Sequence, residues 1–192
     1  THPNALTVHD FGRDDKGHCF FVTELLIGQS LHDRLYTKPL TVTESLSVVH
    51  QIASALGEAH SKEIVHRDIK PSNIIYDPDT HTVKLADFGI ARITDSSKTR
   101  TGIVLGTPNY MSPEQCMGKK VDGRADLFSL GVVIYQLCSG ALPFNGESMA
   151  TLMYAIVNDQ PVDIMKVKPD IEPALRKVIH NAIGKKPNKR YQ

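Results

Sequence analysis

The chain of 192 residues is long enough for one domain with its own hydrophobic core. Its 22 basic and 21 acidic residues leave a formal net charge of +1, so no overall field favours nucleic acid or an anionic membrane as a partner. The uncharged stretch 127–146 is interrupted by polar residues, glycine and proline, and we expect a buried core helix there rather than a membrane span. The three cysteines form no C-x-x-C pair, which argues against metal-thiolate and disulfide frameworks and favours a reducing compartment: Cys19, Cys116 and Cys138.

The first predicted elements are two strands and two helices. Segments 6–11 and 19–25 are apolar and flank a polar turn with two glycines, which predicts an antiparallel hairpin. A short helix is predicted over 31–36, and Thr41 with Glu44 forms a capping-box pattern ahead of a long helix. We assign the buried stripe of that long helix to residues at helical spacing: Leu46, Val49, Ala53, Leu56 and His60.

A second hairpin is predicted in the middle of the chain. The apolar run 74–76 and the returning segment 83–86 flank a turn at 78–81. Because strands precede helices along the chain, the element order favours an α+β class dominated by helices, without repeats or linkers. Three further helices are predicted downstream: 126–138, 148–157 and 172–183.

Polar side chains meet at the open end of this second hairpin. Asn73 precedes its first strand and Asp87 follows its second, so antiparallel pairing would bring the two within a few ångströms. An amide oxygen and a carboxylate oxygen suit Mg²⁺, whose coordination shell is completed by water and phosphate oxygens. Asp68 and Lys70 lie just upstream and add a base and a cation. The combination predicts a phosphoryl-transfer site.

Two segments give this site a family resemblance. The sequence H-R-D-I-K-P-S-N at 66–73, followed by D-F-G at 87–89, resembles the catalytic and metal-binding loops of the protein kinase family. A lysine two residues after the aspartate is typical of the serine/threonine kinases. Together with S-P-E-Q at 112–115, the wording resembles the bacterial, eukaryotic-like members of that group.

The resemblance implies a role for each residue of the loop. Asp68 would accept the proton of the substrate hydroxyl, and Lys70 would stabilise the migrating phosphoryl group. Asn73 and Asp87 would hold Mg²⁺, or Mn²⁺ in its place, against the phosphates of ATP. The fold it implies is protein-kinase-like: mainly the helical C-lobe, with the last strands of the N-lobe and the hinge.

The resemblance also assigns an adenine pocket to the end of the first hairpin. Segment 21–26 looks like the last strand and hinge of the N-lobe. Thr23 would guard the back of the pocket, while the C=O of Glu24 and the N–H of Leu26 would bond the adenine edge. Ile75 would form the pocket floor.

A further block at 106–114 resembles the end of a kinase activation segment, with serine in place of the usual alanine before Pro-Glu. Thr107 would line the substrate-hydroxyl site. Glu114 would form a buried pair with Arg190. Asp126 would either cap the helix that it begins or bond the catalytic-loop backbone as well, and the combined structural role is the favoured interpretation.

Regulation is implied by the residue before the catalytic aspartate. Arg67 matches the arginine that, in the family, accompanies control by activation-loop phosphorylation. Thr99 and Thr101 stand where bacterial members carry paired phosphothreonines. A phosphate adds a charge of roughly −1.5 to −2 and orders loops against arginine. We therefore expect autophosphorylation there, in trans through self-association.

The family resemblance divides the chain into 1–26, the end of the N-lobe and the hinge, and 27–192, a C-lobe with an incomplete final helix. The family's glycine-rich loop, strand lysine and helix glutamate are not among the 192 residues. The isolated chain is therefore expected to be weakly active or inactive. The parent protein is expected to phosphorylate serine and threonine hydroxyls of proteins, in signalling, in the cytoplasm.

Two alternatives remain open at the level of sequence. The first is a pseudokinase scaffold that binds partners without catalysis; the intact Asp68, Lys70, Asn73 and Asp87 argue against it, but the strand lysine is unseen. The second is a small-molecule phosphotransferase, whose loop has a similar H-x-D-x-x-x-x-N pattern. The activation-segment ending at 112–114 argues against that, because only a protein substrate needs such a platform.

Overall fold

The computed structural model of this protein describes residues 2–87 and 108–192. Within these ranges, the strands form one two-stranded and one three-stranded sheet, both antiparallel. The first sheet is the predicted hairpin, and the second contains the predicted central hairpin with one additional short strand. In chain order the strands are β1 (Val8–Arg13), β2 (Cys19–Thr23), β3 (Gln29–Ser30), β4 (Ile74–Asp77) and β5 (Thr82–Leu85).

Helices make up most of the remaining structure, which confirms the helix-dominated α+β class. The capping box predicted for the long helix is present, with the Thr41 hydroxyl accepting from the N–H of Glu44. Short 3₁₀ helices cover Pro71–Asn73, Pro108–Tyr110 and Pro187–Lys189. The described α-helices are α1 (Leu31–Thr37), α2 (Val42–Ser61), α3 (Pro113–Cys116), α4 (Gly123–Ser139), α5 (Met149–Asn158), α6 (Ile164–Val167) and α7 (Pro173–Ala182).

The strand predicted over 6–11 begins two residues later because the preceding segment pairs elsewhere. The N–H of Leu6 donates to the C=O of Leu85 at 2.9 Å, and the N–H of Leu85 donates to the C=O of Asn4 at 2.8 Å. Ala5 thereby forms a parallel bridge to Leu85. The start of the described chain is thus fastened to β5 rather than to β2.

The central hairpin is antiparallel as predicted, but its register places Asn73 opposite Ala86 rather than opposite Asp87. Ile74 lies opposite Leu85, and the N–H of Ala86 donates to the C=O of Asn73 at 2.8 Å, which extends the ladder by one pair. Gly28, just before β3, has a φ of +122°, and a Cβ there would lie 2.3 Å from the carbonyl oxygen of Tyr76. Only glycine therefore allows β3 to approach β4 this closely.

The stripe predicted on α2 is right in part: Leu56 is buried, and Val49 and His60 are half-buried. Leu46, however, is 43% exposed, and Ala53 is also exposed. The buried face lies about one residue away because it is set by α4: Leu130, Val133 and Leu137 of α4 belong to one core cluster with three α2 residues, Val48, Ile52 and Leu56. The buried residues of α2 are Ser45, Val48, Ile52, Ala55, Leu56 and Ala59.

Helix α4 is the central element of the domain, with 12 of its 17 residues buried. One side packs in the cluster formed with α2, β4 and β5, and the other side packs in a second cluster with α5, α6 and α7. Gly131 lets α7 approach closely, since a Cβ there would lie 2.7 Å from the Ala182 side chain. In the described ranges, no helix combines the length and apolar character that crossing a membrane requires.

A pair of leucine substitutions tests this packing. Leu56→Ala removes a side chain that is 0% exposed, and the cavity should lower the free energy of unfolding by about 2–5 kcal/mol. Leu46→Ala, on the exposed face of the same helix, should change it by about 0.5 kcal/mol or less. Chemical denaturation measures both. Equal losses for the two variants would contradict the α2 face described above.

Candidate active site

The loop that precedes β4 is attached to α4 through one buried carboxylate. Asp126 lies in the first turn of α4 and is 0% exposed. Its Oδ1 accepts from the N–H of Arg67 at 2.7 Å, and its Oδ2 accepts from the N–H of His66 at 2.8 Å. The His60 Nε2 lies 2.8 Å from the same Oδ2. Asp126 therefore bonds the catalytic-loop backbone.

The interpretation of Asp126 as a helix cap was wrong. The N-cap of α4 is Asp122, whose side chain accepts from the N–H of Arg124 at 3.0 Å. The helix consequently begins at Gly123, three residues before the predicted start. With the cap supplied by Asp122, both oxygens of Asp126 are directed to the loop and His60.

Arg67 is held in a strained conformation by contacts on both of its backbone groups. Its φ is +70°, in the left-handed region, which costs about 1–3 kcal/mol for a residue with a side chain. Its N–H is bound by Asp126, and its C=O accepts from the Gln115 Nε2 at 2.7 Å. The two contacts compensate the strain and fix the direction of the peptide that leads to Asp68.

His66 links this loop to the end of β5. Its Nε2 lies 2.9 Å from the C=O of Ala86, and its Nδ1 lies 3.3 Å from the N–H of Asp68. Burial lowers the pKa of His66 despite nearby acidic groups. The ring is therefore neutral, with a proton on Nε2 that donates to Ala86 and a lone pair on Nδ1 that accepts from Asp68.

Asp68, Lys70 and Asn73 form one hydrogen-bonded cluster, as the sequence predicts. The Asn73 Nδ2 donates to the backbone oxygen of Asp68 at 2.8 Å and to its Oδ2 at 2.9 Å. The Lys70 Nζ lies 2.7 Å from the same Oδ2. Asn73 is buried, whereas the Asp68 side chain is 50% exposed. A buried amide thus orients a carboxylate that faces solvent.

Asp87 lies at the open end of the central hairpin, one residue beyond the pair formed by Asn73 and Ala86. Its φ is +61°, and its side chain is exposed. The Asn73 amide uses its nitrogen toward Asp68, so its Oδ1 is available as an oxygen ligand. The described ranges contain no cluster of three His, Cys, Asp or Glu side chains that could hold a metal. One amide oxygen and one carboxylate suit a hard cation completed by phosphate and water oxygens.

A cleft of about 490 Å³ opens beside Asp68 and Lys70. His32 and Tyr36 of α1 line one side. Tyr110 lies against the floor, where its hydroxyl donates to the Gln136 Oε1 at 2.7 Å and its C=O accepts from the Ser129 hydroxyl at 2.6 Å. The carboxylate of Asp68 thus faces a space large enough for part of a substrate chain. Thr107, predicted to lie here, is outside the described residues, as are Thr99 and Thr101.

Glu114 and Arg190 meet as the resemblance implies. The two guanidinium nitrogens donate to the two carboxylate oxygens at 2.6 and 2.8 Å, and both residues are buried. Arg190 also donates to the backbone oxygens of Gly184, Arg124 and Lys185. Burial favours the neutral acid, but the Arg190 hydrogen bonds outweigh it and lower the pKa of the Glu114 carboxyl. The pair joins α3 to the end of the chain.

Gln115 is a positioning residue that the sequence analysis missed. Ser112 and Gln115 form a capping box on α3: the Ser112 hydroxyl accepts from the N–H of Gln115, and the Gln115 Oε1 accepts from the N–H of Ser112. The serine that departs from the family pattern is thus the cap of this helix. The S-x-x-Q spacing was a readable signal. Its second effect, placing the Gln115 amide on Arg67, was not.

The predicted adenine-binding segment follows β2. The Thr23 hydroxyl donates to the C=O of Glu24 at 3.1 Å. The Glu24 carboxylate accepts from the Lys84 Nζ at 2.7 and 2.8 Å. The hydrogen bond from Lys84, and after it the one from the N–H of Thr7, lowers the pKa of Glu24 to about 2. Ile75 of β4 pairs with Lys84 of β5 and is half-buried, as is Leu26. No local sequence pattern predicts the pair between Glu24 and Lys84.

Comparison with known proteins assigns this fold and this constellation of residues to one family. Residues 1–192 match the family model of the protein kinase domain. The chain belongs to the protein kinase family. The likeness to a solved structure covers the same extent: a crystal structure of Rad53 1-466 in complex with AMP-PNP matches 99% of this chain and 48% of that one, with a TM-score of 0.82 and 26% sequence identity.

Bacterial serine/threonine kinases are among the curated relatives, which confirms the predicted subgroup. The chain is 41% identical to serine/threonine-protein kinase pkn3 of Myxococcus xanthus over 97% of its own length. It is 36% identical to serine/threonine-protein kinase PknB of Mycolicibacterium smegmatis over 100% of its length. It spans 36% and 32% of these two relatives, about a third of each.

The Asp126 contacts can be tested by replacing aspartate with asparagine at two positions of the same region. Asp126→Asn removes the negative charge beside His60 and the two backbone N–H groups. It also replaces one acceptor oxygen by an NH₂ group, which then faces a hydrogen-bond donor. The free energy of unfolding should therefore fall by about 3 kcal/mol. Asp122→Asn is the matched control. Asparagine caps a helix as well as aspartate does, and the ion pair with the partly exposed Arg124 contributes only about 0–1 kcal/mol. Thermal or chemical denaturation compares the two. A loss at Asp122 as large as that at Asp126 would contradict the assignment.

Proposed function

We propose that the protein containing this chain transfers the γ-phosphate of ATP to serine and threonine hydroxyls of proteins. The observation that carries the proposal is the cluster of Asp68, Lys70 and Asn73 at the mouth of the cleft. Family membership and the names of the bacterial relatives support it. The transfer would take place in the cytoplasm, where ATP is available.

In this proposal Asp68 is the base. Its Oδ2 accepts from Lys70 and Asn73, and no described residue donates to its Oδ1. That oxygen is therefore the atom that would accept the proton of the substrate hydroxyl as the hydroxyl attacks. Lys70, 35% exposed, would then turn from the carboxylate toward the negative charge on the migrating phosphoryl group.

ATP and Mg²⁺ would occupy the space between the segment after β2 and the open end of the central hairpin. The adenine would bond Glu24 C=O and Leu26 N–H, between Thr23 and Ile75. Asn73 and Asp87 would hold Mg²⁺, which neutralises phosphate charge when bound; Mn²⁺ has similar ligand preferences. The Rad53 structure named above was solved with AMP-PNP, an ATP analogue, which supports nucleotide use by this fold.

The substrate class follows from the platform after the activation segment. Helix α3 is capped by Ser112, fixed to Arg67 by Gln115 and fixed to Arg190 by Glu114. These contacts fix the surface next to residues 109–111, which line the cleft. A small alcohol needs no such surface, so the arrangement favours a protein kinase over a small-molecule phosphotransferase.

We assign residues 1–26 to the end of the N-lobe and the hinge, and 27–192 to the C-lobe.

Asp68→Asn in the full-length protein should lower kcat by about 10²–10⁴-fold, because the amide cannot accept the hydroxyl proton. The Kd for ATP should change little, since Asp68 faces the hydroxyl rather than the nucleotide. Phosphorylation of a protein substrate and ATP binding measure the two. Asp79→Asn, in the turn between β4 and β5, is the control and should retain full activity. An inactive wild type that still binds ATP would favour the pseudokinase alternative.

The side chain of Arg67, the residue before the proposed base, supports regulation by phosphorylation. The Arg67 Nε is buried and has no hydrogen-bond partner among residues 2–87 and 108–192. A buried guanidinium nitrogen without an acceptor favours an incoming anion. A phosphate on the activation segment would supply one, so we propose that copies of the protein associate and phosphorylate each other at Thr99 and Thr101.

The Thr99→Ala/Thr101→Ala double variant tests this regulation. Autophosphorylation of the full-length protein should fall strongly, because the two acceptor hydroxyls are gone, and phosphopeptide mapping should show the loss at these two positions. Ser96→Ala/Ser97→Ala is the matched control and should leave the signal in place. Retained autophosphorylation with an unchanged phosphopeptide map in the double threonine variant would refute the assignment.

A further inference from the structure

A second cleft, remote from Asp68, lies between the C-terminal half of α4, the segment 160–164 and α7. Its volume is about 220 Å³, and it shares no lining residue with the cleft of the candidate active site. Pro161, Val162, Ile179 and Ile183 contribute apolar walls. Pockets for drug-sized ligands measure about 300–1,000 Å³. This cleft therefore suits the apolar part of a smaller molecule.

The hydroxyl of Tyr135, in this cleft, lacks a partner in the described part of the chain. Tyr135 is 1% exposed, and its hydroxyl makes no hydrogen bond to any described residue. Buried hydroxyls almost always have a partner, so an unpaired one calls for an explanation such as a ligand or a water molecule. Burial, followed by the nearby Asp163 charge, raises the pKa of Tyr135, so the hydroxyl keeps its proton and can donate.

The charged groups at that end of the cleft are already paired. Arg176 donates to Asp163 from its Nε at 2.9 Å and from its second guanidinium nitrogen at 2.5 Å. The N–H of Met165 donates to the same carboxylate. No free charge therefore remains beside Tyr135 among the described residues. The Tyr135 end of the cleft favours a neutral group that carries a hydrogen-bond acceptor.

Away from Tyr135, this cleft adjoins another of about 230 Å³. The two share four lining residues: Gln160, Pro161, His180 and Ile183. Three lysines line the adjoining cleft. Lys185 is occupied, because its Nζ donates to the C=O groups of Ala155 and Ile156 and lies over the Phe144 ring. Lys186 and Lys189 make no ion pair with any residue in the described ranges, and both are exposed. Two unpaired cations favour a doubly charged anion.

We propose that the two clefts form one binding trough for a small amphipathic phosphomonoester. Its apolar body would pack between α4 and α7 with an acceptor at the Tyr135 hydroxyl, and its phosphate would contact Lys186 and Lys189. The site is separate from the proposed ATP and substrate sites and does not depend on the proposed function.

Binding of 4-nitrophenyl phosphate to the full-length protein tests the proposal, because this probe carries an acceptor at one end and a phosphate at the other. Calorimetric titration should show saturable binding. Tyr135→Phe, which removes only the hydroxyl, should weaken it about fivefold. Tyr154→Phe, at a tyrosine that is 63% exposed, is the matched control and should leave the Kd unchanged.

The phosphate end is tested independently of Tyr135. Lys186→Ala/Lys189→Ala should weaken binding about tenfold at low salt and less as the ionic strength rises. Lys119→Ala/Lys120→Ala removes two exposed lysines elsewhere and should have no effect. 4-Nitrobenzyl alcohol, which lacks the phosphate, should bind more weakly than the phosphate ester.

Three results would overturn the proposal. Absence of probe binding to the full-length protein would leave a buried water as the partner of Tyr135. Binding that neither the Tyr135 nor the Lys186/Lys189 variant weakens would place the probe elsewhere. An equal loss in the Lys119/Lys120 control would show general attraction to positive charge rather than a site.

Discussion

The candidate site depends on one buried carboxylate. Asp126 lies in the first turn of α4, a helix with 12 of its 17 residues buried. It accepts hydrogen bonds from two backbone N–H groups of the catalytic loop and lies against His60. Removing such an acceptor from the interior leaves several donors unsatisfied at once, and each costs about 1–3 kcal/mol. Because α4 also separates the two core clusters, the position of the loop is tied to the packing of the whole helical region.

This anchorage allows the loop to hold conformations that the backbone alone disfavours. Arg67 and Asp87 both have positive φ, of +70° and +61°. Arg67 is held by Asp126 and Gln115, and the residue before Asp87 is held by His66 and Asn73. A neutral His66 connects the two segments, so the proposed base and the proposed metal ligand are positioned by one continuous set of buried hydrogen bonds.

Local patterns in the sequence predicted much of this arrangement. The central hairpin, its open end and the cluster of Asp68, Lys70 and Asn73 follow from strand periodicity and from residues a few positions apart. The phase of α2 was not predictable, because α4, far away in sequence, determines which face is buried. The links from Gln115 to Arg67 and from Glu24 to Lys84 join residues 48 and 60 positions apart, and periodicity carries no information at that range.

The segment that begins the described chain has a mechanical consequence. Asn4 and Leu6 hydrogen-bond to Leu85, and Glu24 at the end of the first hairpin holds Lys84 of β5. Both ends of that hairpin are thus fastened to the same strand, and Asp87 follows this strand by two residues. A rigid-body tilt of the hairpin would therefore move β5, and Asp87, whose carboxylate is proposed to hold the metal, would move with it.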